Sequence, residues 1–578
     1  MKRDSYLVGK AFRSYLTASV LTVAAAQVAG IVDASIVGNI IGEEGLAAVN
    51  VCKPVLQAVF ALSVLLVGGG TMMVGMAIGK GDRKRADSVF TLSIGLVVLT
   101  AIVLMVTGLF LLDPLLKMLC KSVAVYPLAK DFLRVMLLSA APMMLMTALD
   151  SYVTVDGSPV LASRAVIVSN VVNLCLDVIL MKFLGLGITG AAWATCVMYI
   201  VCILMVLPHF KKKPSLRLTV DFDLQSIRPL LSYGLPLFLS TILLSVQFAF
   251  SNTIAGTCFG DGGLVAYAVC MQLLVFSTIF LNGTFRTVQP VGSILKGMGD
   301  SRGVILLMWR AYRFIFCCLA VFGVLAVLFL RQIAHFLGVS DGANMEVVMY
   351  AVPVFVAEII LQSLTGNLTP VYQIYGHRRL ALLISVLQAL LPLAGFWILT
   401  RLGMTYEWLN PWSGFALGQF AVLIILLIAA AVIRQSDKSL SHLLLVPLSP
   451  ENEVLDVSMS ANTGELGAVR NLMSDFLKCR NLRSKTVNDV VLCSEELIKN
   501  IIDHGSANRI DVKVVSNSNA VVLSLHDDGN AFNPVCHSSP NGIGLTIISE
   551  ICAPGNGNTL NYNYIFNQNI VTLEITDN

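Results

Sequence analysis

The sequence predicts a multi-domain protein: a polytopic all-α membrane part of twelve transmembrane helices in two six-helix lobes, then an α/β two-layer sandwich. Three observations predict it. Of the 578 residues, 56% are apolar and 13% charged, against about 45–50% and about 25% in ordinary soluble domains; mean hydropathy is +0.79. Charge divides unevenly, residues 1–439 carrying a net +11 and residues 440–578 a net −7. Finally, the apolar part repeats itself at a fixed offset of 218 residues. This composition excludes a soluble enzyme, a disordered chain and a nucleic-acid binder with a basic face.

The repeat comes before the spans. Ser14-Tyr15 recurs as Ser232-Tyr233, and Gly45, Ala48, Val51-Cys52, Gly79 and Asp82 recur as Gly263, Ala266, Val269-Cys270, Gly297 and Asp300. Each half resolves into six apolar segments, long enough at about 20 residues per span. In the first half they lie near 14–40, 46–78, 88–112, 131–153, 163–184 and 190–209. In the second they lie near 231–257, 264–295, 304–330, 346–372, 379–401 and 412–434. The expected boundaries are 1–220 and 221–437 for the lobes, 438–450 for a linker and 451–578 for the acidic domain. The basic start (Lys2, Arg3, Lys10, Arg13) imitates a signal peptide, but its segment recurs in the second half and reads as a retained span. Two like halves of a membrane protein predict transport between them.

An even number of spans per half makes the repeats parallel. With the N-terminus inside, roughly 20 basic residues lie inside against roughly 7 outside, so the positive-inside rule places both termini in the cytoplasm. The thirteen cysteines show no CxxC spacing and read as packing residues.

Ionisable side chains within spans are costly and need a reason. Asp33 sits in the first span. Asn170, Asn173 and Asp177 in the fifth are spaced i, i+3, i+7, an amide-carboxylate stripe on one helical face. A buried carboxyl beside another carboxyl can take up and release a proton; the same oxygens with Asn173 suit Na⁺, and an interhelical hydrogen bond is the plain alternative. Ser251 stands at the repeat position of Asp33, so coupling is expected in the first lobe. Lys53, Asp150, Arg286 and Glu358 are further intramembrane candidates, Asp150 and Glu358 being placed near span ends within reach of water.

These residues resemble the multidrug and toxic compound extrusion (MATE) transporters. Val32-Asp33-Ala34-Ser35-Ile36-Val37-Gly38 with Gly45-Leu46-Ala47-Ala48 is similar to that family's opening. Asn173-Leu174-Cys175-Leu176-Asp177 and Gly187 to Thr195 are similar to its fifth and sixth spans. Gln289-Pro290 and Gly297-Met298-Gly299-Asp300 match the eighth span and following loop. The resemblance covers about 1–435. It implies cation-coupled export (H⁺ or Na⁺) of small organic, often cationic, xenobiotic compounds across a cell membrane, a bacterial inner membrane, with Asp33, Asn173 and Asp177 as the coupling cluster. The seventh span, Ser232 to Thr257, has no acid, only Gln247, which favours a proton-type site in the first lobe.

In the acidic domain, Val487, Val490, Val491, Leu497, Ile498 and Ile501 predict one apolar helical face, with Glu496, Asn500 and His504 opposite. Arg509 to Val515 and Val521 to Asp527 alternate as a hairpin around Asn517-Ser518-Asn519. Asp527-Asp528-Gly529-Asn530-Ala531-Phe532 and Asn541-Gly542-Ile543-Gly544-Leu545 follow, then two strands near 559–566 and 570–576. Each piece suits a nucleotide. Asp527 accepts from an adenine amino group, and Gly529 lets backbone approach the base. Gly542 and Gly544 turn backbone N–H groups to phosphates at the start of a helix beginning at Leu545. Asn500 holds Mg²⁺, and Glu496 serves as general base.

This order resembles the GHKL (Bergerat) ATP-binding fold, and within it the anti-sigma-factor serine kinases. Ser494-Glu495-Glu496 through Asn500 to His504 matches the N-box, and the two glycine-bearing stretches match the G1 and G2 boxes, over about 451–577. The resemblance implies bound ATP and Mg²⁺. It admits two roles: a cytoplasmic ATP-binding domain regulating the exporter, or a Ser/Thr protein kinase acting on an anti-sigma-antagonist-like partner below a membrane sensor. Short spacing between the boxes, Asn533 to Pro540, leaves no room for a large lid, and no histidine-kinase dimerisation hairpin precedes residue 451.

Overall fold

The computed structural model describes residues 3–211, 215–403, 410–448, 453–480, 482–516, 520–533, 543–553 and 556–577. The first lobe comprises α1 (Tyr6–Ile41), α2 (Glu43–Gly79), α3 (Arg83–Phe110), α4 (Leu112–Leu119), α5 (Val125–Leu138), α6 (Ala140–Val155), α7 (Pro159–Val178) and α8 (Gly187–Val206). The second comprises α9 (Ile227–Gly297), α10 (Ser301–Leu328), α11 (Leu330–Phe336), α12 (Ala343–Gly366), α13 (Thr369–Ile374), α14 (Arg378–Arg401) and α15 (Ser413–Ser436). Among the described residues ten of these helical segments are long and apolar enough to cross a membrane, and α5 with α6 passes the same test as a pair bent by 50°. The 71-residue α9 breaks at Gly260, whose φ of 58° and ψ of −147° are not helical. At 1.5 Å per residue it is long enough for two spans, which, with α5 and α6 counted as one, makes twelve among the described residues.

The repeat has a visible physical basis. Helices α3 and α10 both run 28 residues and start after an aspartate. Asp82 accepts a hydrogen bond from the Arg85 backbone N–H, and Asp300 from that of Gly303. Both are side-chain N-caps, which satisfy donors that the first helical turn leaves unpaired.

The two lobes meet where backbone touches backbone. A Cβ on Gly234 would sit 1.8 Å from the Leu65 carbonyl oxygen, and one on Gly69 1.9 Å from that of Leu230. Gly79 and Gly297, the repeat partners ending α2 and α9, face each other the same way. Hydrophobic sorting cannot pull helices together in lipid, so close approach through small residues supplies the contact. These contacts close the two lobes onto each other along α2 and α9, at the end that carries the C-terminal domain.

The C-terminal domain is a five-stranded antiparallel sheet of order β1-β2-β3-β5-β4. Its elements are β1 (Val454–Ser460), α16 (Thr463–Lys478), α17 (Ser484–His504), β2 (Arg509–Ser516), β3 (Ala520–Asp527), α18 (Ile543–Ile551), β4 (Thr559–Ile565) and β5 (Gln568–Thr576). Alternation sends Val457, Met459, Ile510, Val512, Leu523, Leu525, Val571 and Leu573 to one face, where they bury against α16 and α17 through Val469, Met473, Leu497 and Ile501. Val491 is only partly buried; Cys493 and Ser494 fill the helix face instead.

The opposite sheet face bears Asp456, Ser458, Asp511 and Lys513, and it docks on the sealed end of the lobes. Arg3 is the centre of that contact. Its guanidinium donates to both Asp300 oxygens (2.7 and 2.8 Å) and to Asp511 (3.0 Å), with Asp456 at 3.7 Å. Gln568 donates to the Leu7 carbonyl at 2.9 Å, Lys513 to that of Gly299 at 2.9 Å, and Tyr15 meets Phe566 edge-on at 5.6 Å. The segment expected as a plain linker also packs: Leu440, Leu445 and Val446 are buried in the same core as the lobe helices, and Tyr372 donates to the Leu443 carbonyl at 2.6 Å.

Gly234→Leu is expected to open the sealed end by overpacking, a cost of about 1–3 kcal/mol. Melting of the detergent-purified chain should drop by several degrees; an unchanged melting temperature would contradict the backbone contact.

Candidate functional sites

Two sites emerge, one in the first lobe and one in the C-terminal domain. Helices α1 and α7 pack along each other and bring Asp33, Asn173 and Asp177 together. Asn173 and Asp177 are buried and Asp33 is half-buried. The Asp33 and Asp177 carboxyls face each other within hydrogen-bonding reach. Neither Asp177 oxygen receives a hydrogen bond from a donor, and the Asn173 amide nitrogen has no acceptor. Two facing carboxyls need a shared proton or a cation between them. Lys53 on α2 lies close enough to act on Asp33 electrostatically. Asn170 does not join the cluster; its amide is spent on the Val166 carbonyl of its own helix at 2.8 Å. A π-helical turn, Ile179–Phe183, begins two residues after Asp177; such turns recur at functional sites, and no residue pattern signalled this one.

Two expectations are corrected. Glu358 does not lie wet at a span end: it is 3% exposed inside α12, beside Gln419 of α15, with one carboxylate oxygen unpartnered. The buried acid of the second lobe is thus Glu358 of α12, with Gln247 and Ser251 of α9 buried in the same lobe. Asp150 is likewise buried and pairs with Arg286, an ion pair joining α6 of one lobe to α9 of the other.

In the C-terminal domain, Asp527 closes β3 and is 1% exposed. One of its oxygens accepts from the Gly529 backbone N–H at 2.9 Å and from Asn569 at 2.8 Å. The other is buried with no partner. Burial pushes this carboxyl above the usual range, partly offset by the Asn569 and Gly529 hydrogen bonds. Asn569 is the cross-strand neighbour of Asp527 on β5 and also accepts from Tyr562 at 2.8 Å and from the Phe532 backbone at 3.1 Å. It organises the site, yet only the strand register reveals it.

The N-box helix reaches the same corner. Asn500 is half-buried, and its amide nitrogen is buried without a partner. His504 lies 5.8 Å from Phe532 between ring centroids, and Asn530 donates to the Gly505 carbonyl at 3.0 Å. Glu496 is half-buried one turn earlier, next to Glu495, which pairs with Arg470 at 3.3 Å. Gly529 also has a packing reason: a Cβ there would sit 2.0 Å from the Gly505 carbonyl oxygen, so it lets the two boxes touch. Asn541 and Gly542 lie outside the described residues. Helix α18 starts at Ile543, two residues earlier than expected, so Gly544 is inside its first turn. Two buried polar atoms with no protein partner, an acceptor on Asp527 and a donor on Asn500, fit a nucleotide that supplies an amino group to one and an oxygen to the other.

Fold and sites together define a multi-pass membrane protein with an attached nucleotide-type domain, and the relatives agree. Residues 18–179 match the MatE family model and residues 459–553 the model of the histidine kinase-like ATPase domain. The chain carries a MatE domain at its N-terminal end and a histidine kinase-like ATPase domain at its C-terminal end. It is 24% identical over 390 residues to the multidrug export protein MepA of Staphylococcus aureus (strain N315), covering 65% of this chain and 84% of that one. A MepA of Staphylococcus saprophyticus is 23% identical over 391 residues, with the same coverage. Among solved structures, the outward-facing conformation of a multidrug resistance MATE transporter superposes with a TM-score of 0.69 at 21% identity, over 74% of this chain and 96% of that one. A Pyrococcus furiosus transporter of the MOP superfamily gives 0.67 at 20% identity, over 74% and 96%. These likenesses establish the MATE fold.

Asn569→Ala removes a donor from a buried carboxylate, a loss of about 1–3 kcal/mol. It is expected to weaken nucleotide binding and lower the melting temperature of the C-terminal domain; binding and melting equal to wild type would show that Asn569 does not hold Asp527.

Proposed function

We propose that the protein exports small organic compounds in exchange for a cation, H⁺ or Na⁺, and that its C-terminal domain binds Mg-ATP in the cytoplasm and regulates the transporter. The facing carboxyls of Asp33 and Asp177 carry the reading. A substrate-filled lobe and a protonated pair exclude each other when release of the cation restores two repelling carboxylates. Asn173, one turn before Asp177, keeps a buried amide nitrogen without an acceptor in the protein, a donor available when the pair changes its protonation. The gradient suffices as the energy source, since one charge crossing 100 mV supplies about 2.3 kcal/mol. The positive-inside rule supports the orientation.

In the regulatory domain, Asp527 would receive the adenine amino group, Asn500 would hold Mg²⁺, and Gly544 at the start of α18 would help turn N–H groups toward phosphate. When bound, the nucleotide brings negative charge and a reactive γ-phosphoryl group. Glu496, one turn before Asn500, is placed to orient a water or hydroxyl there. Regulation is favoured over a free-standing kinase because the free sheet face is committed to the lobes by Arg3.

Asp33→Asn is expected to abolish cation-gradient-driven efflux in proteoliposomes while Mg-ATP binding by the same protein survives; full efflux by the variant would refute the coupling role. Asn500→Ala should remove Mg-ATP binding by the full-length chain, and calorimetric binding equal to wild type would refute the N-box assignment.

A further inference from the structure

The docked face and the nucleotide corner meet at two adjacent residues. Asp527 points to the helix side of the sheet, toward the unpartnered corner described above. Asp528 points the other way. One Asp528 oxygen accepts from the backbone N–H groups of Asn508 (2.8 Å) and Arg509 (3.1 Å). The other accepts from Lys10 at 2.9 Å and Tyr6 at 3.5 Å, both on the first turns of α1. Lys10 and the two backbone donors outweigh burial and hold the Asp528 carboxyl down to about 2. It is therefore charged whenever the protein is folded near neutral pH.

Lys10 continues into the helix that carries Asp33. Seven residues before it, Arg3 forms the bidentate pair with Asp300, which caps α10 of the opposite lobe. This pair joins the two lobes directly. The C-terminal domain supplies the second half of its cage, Asp456 and Asp511, and keeps it out of water: Arg3 and Asp300 side chains are each 2% exposed. Arg302 adds a second cation 3.8 Å from Asp456, and Ser458 donates to Asp511 at 2.5 Å. Removing the domain would return Arg3 and Asp300 to water, where an ion pair holds far less.

We infer that the C-terminal domain is a latch whose docking surface is the sealed end of this chain's own two lobes, and that nucleotide binding at Asp527 tightens the latch through Asp528 and Lys10. The inference rests on the reading of Asp527 as the nucleotide acid. The loop from Asp528 to Phe532 is held from one side by Lys10 and Tyr6, and from the other by Gly505 and Asn569. Whichever partner binds first orders that loop, and the second is spared the cost. Coupling of this kind is reciprocal. Nucleotide thus favours the state closed at the domain side, and docking favours bound nucleotide.

The test is hydrogen–deuterium exchange on the full-length chain in nanodiscs, with and without Mg-ATP, in wild type and Lys10→Met. Lys10 is partly exposed and reaches the loop only through Asp528, so Met removes that one link without touching Asp527 or Asn500. In wild type, saturating Mg-ATP should slow exchange of residues 3–10 and 299–303 by at least about 5-fold, the lower end of measured site-to-site couplings. In Lys10→Met that slowing should vanish, and Mg-ATP affinity should fall by a similar factor. Bound nucleotide that leaves exchange at both segments unchanged overturns the latch while sparing the ATP site. Unaltered affinity in Lys10→Met overturns the route through Asp528. A chain that binds no Mg-ATP overturns the nucleotide reading and the latch with it.

Discussion

Everything in this structure hangs on the approach of the two lobes at one end. In lipid there is no hydrophobic gain from pressing one apolar helix against another. The lobes approach because Gly69, Gly79, Gly234 and Gly297 place no side chain between backbones. That contact brings the α2–α3 and α9–α10 loops side by side and forms the platform beneath the C-terminal domain. It leaves Asp33 with Asp177 inside one lobe and Glu358 with Gln419 inside the other, while the Asp150–Arg286 pair bridges the two.

The platform is then held by buried charge. Three carboxylates from two domains, Asp300, Asp456 and Asp511, converge on Arg3. Burial pushes Asp511 up to about 6 and would do the same to Asp300, but the guanidinium of Arg3 holds Asp300 well below the usual carboxylate range. Such a cluster adds little net stability, since desolvation consumes much of the Coulomb energy. It adds position: an arginine fork satisfied by two domains and both lobes has few alternative places to go. The opposite net charges of the two parts, +11 and −7, thus resolve into a specific complementarity at one surface.

Much of the fold was legible because its causes are local or periodic. The offset repeat predicted twin lobes, and Asp82 and Asp300 recur because each caps a helix. Period-two runs predicted β2 and β3, whose register is as the hairpin required. Within the candidate sites, Asp33 stood out as an acid inside a span, Asn173 and Asp177 by their helical spacing, and Asp527 by its place before Gly529. The misreadings share another cause. Glu358 and Asp150 looked wet because hydropathy averages over all faces of a helix, whereas burial is decided by which face meets a neighbour. Asn569 was invisible because its role depends on lying across from Asp527, 42 residues away.

The sequence by itself determined the membrane spans, the twin-lobe repeat, the α/β domain and the residue types of both sites. Those follow from hydropathy, periodicity and short-range spacing, which a chain carries in one dimension. Only the tertiary structure decided that the domain sits on the sealed end of the lobes and that Asp528 faces Lys10, 518 residues away. It alone showed the linker to be part of the core. Contacts between distant segments depend on backbone approach and on pairing of buried charges, and neither is written in the order of residues along the chain.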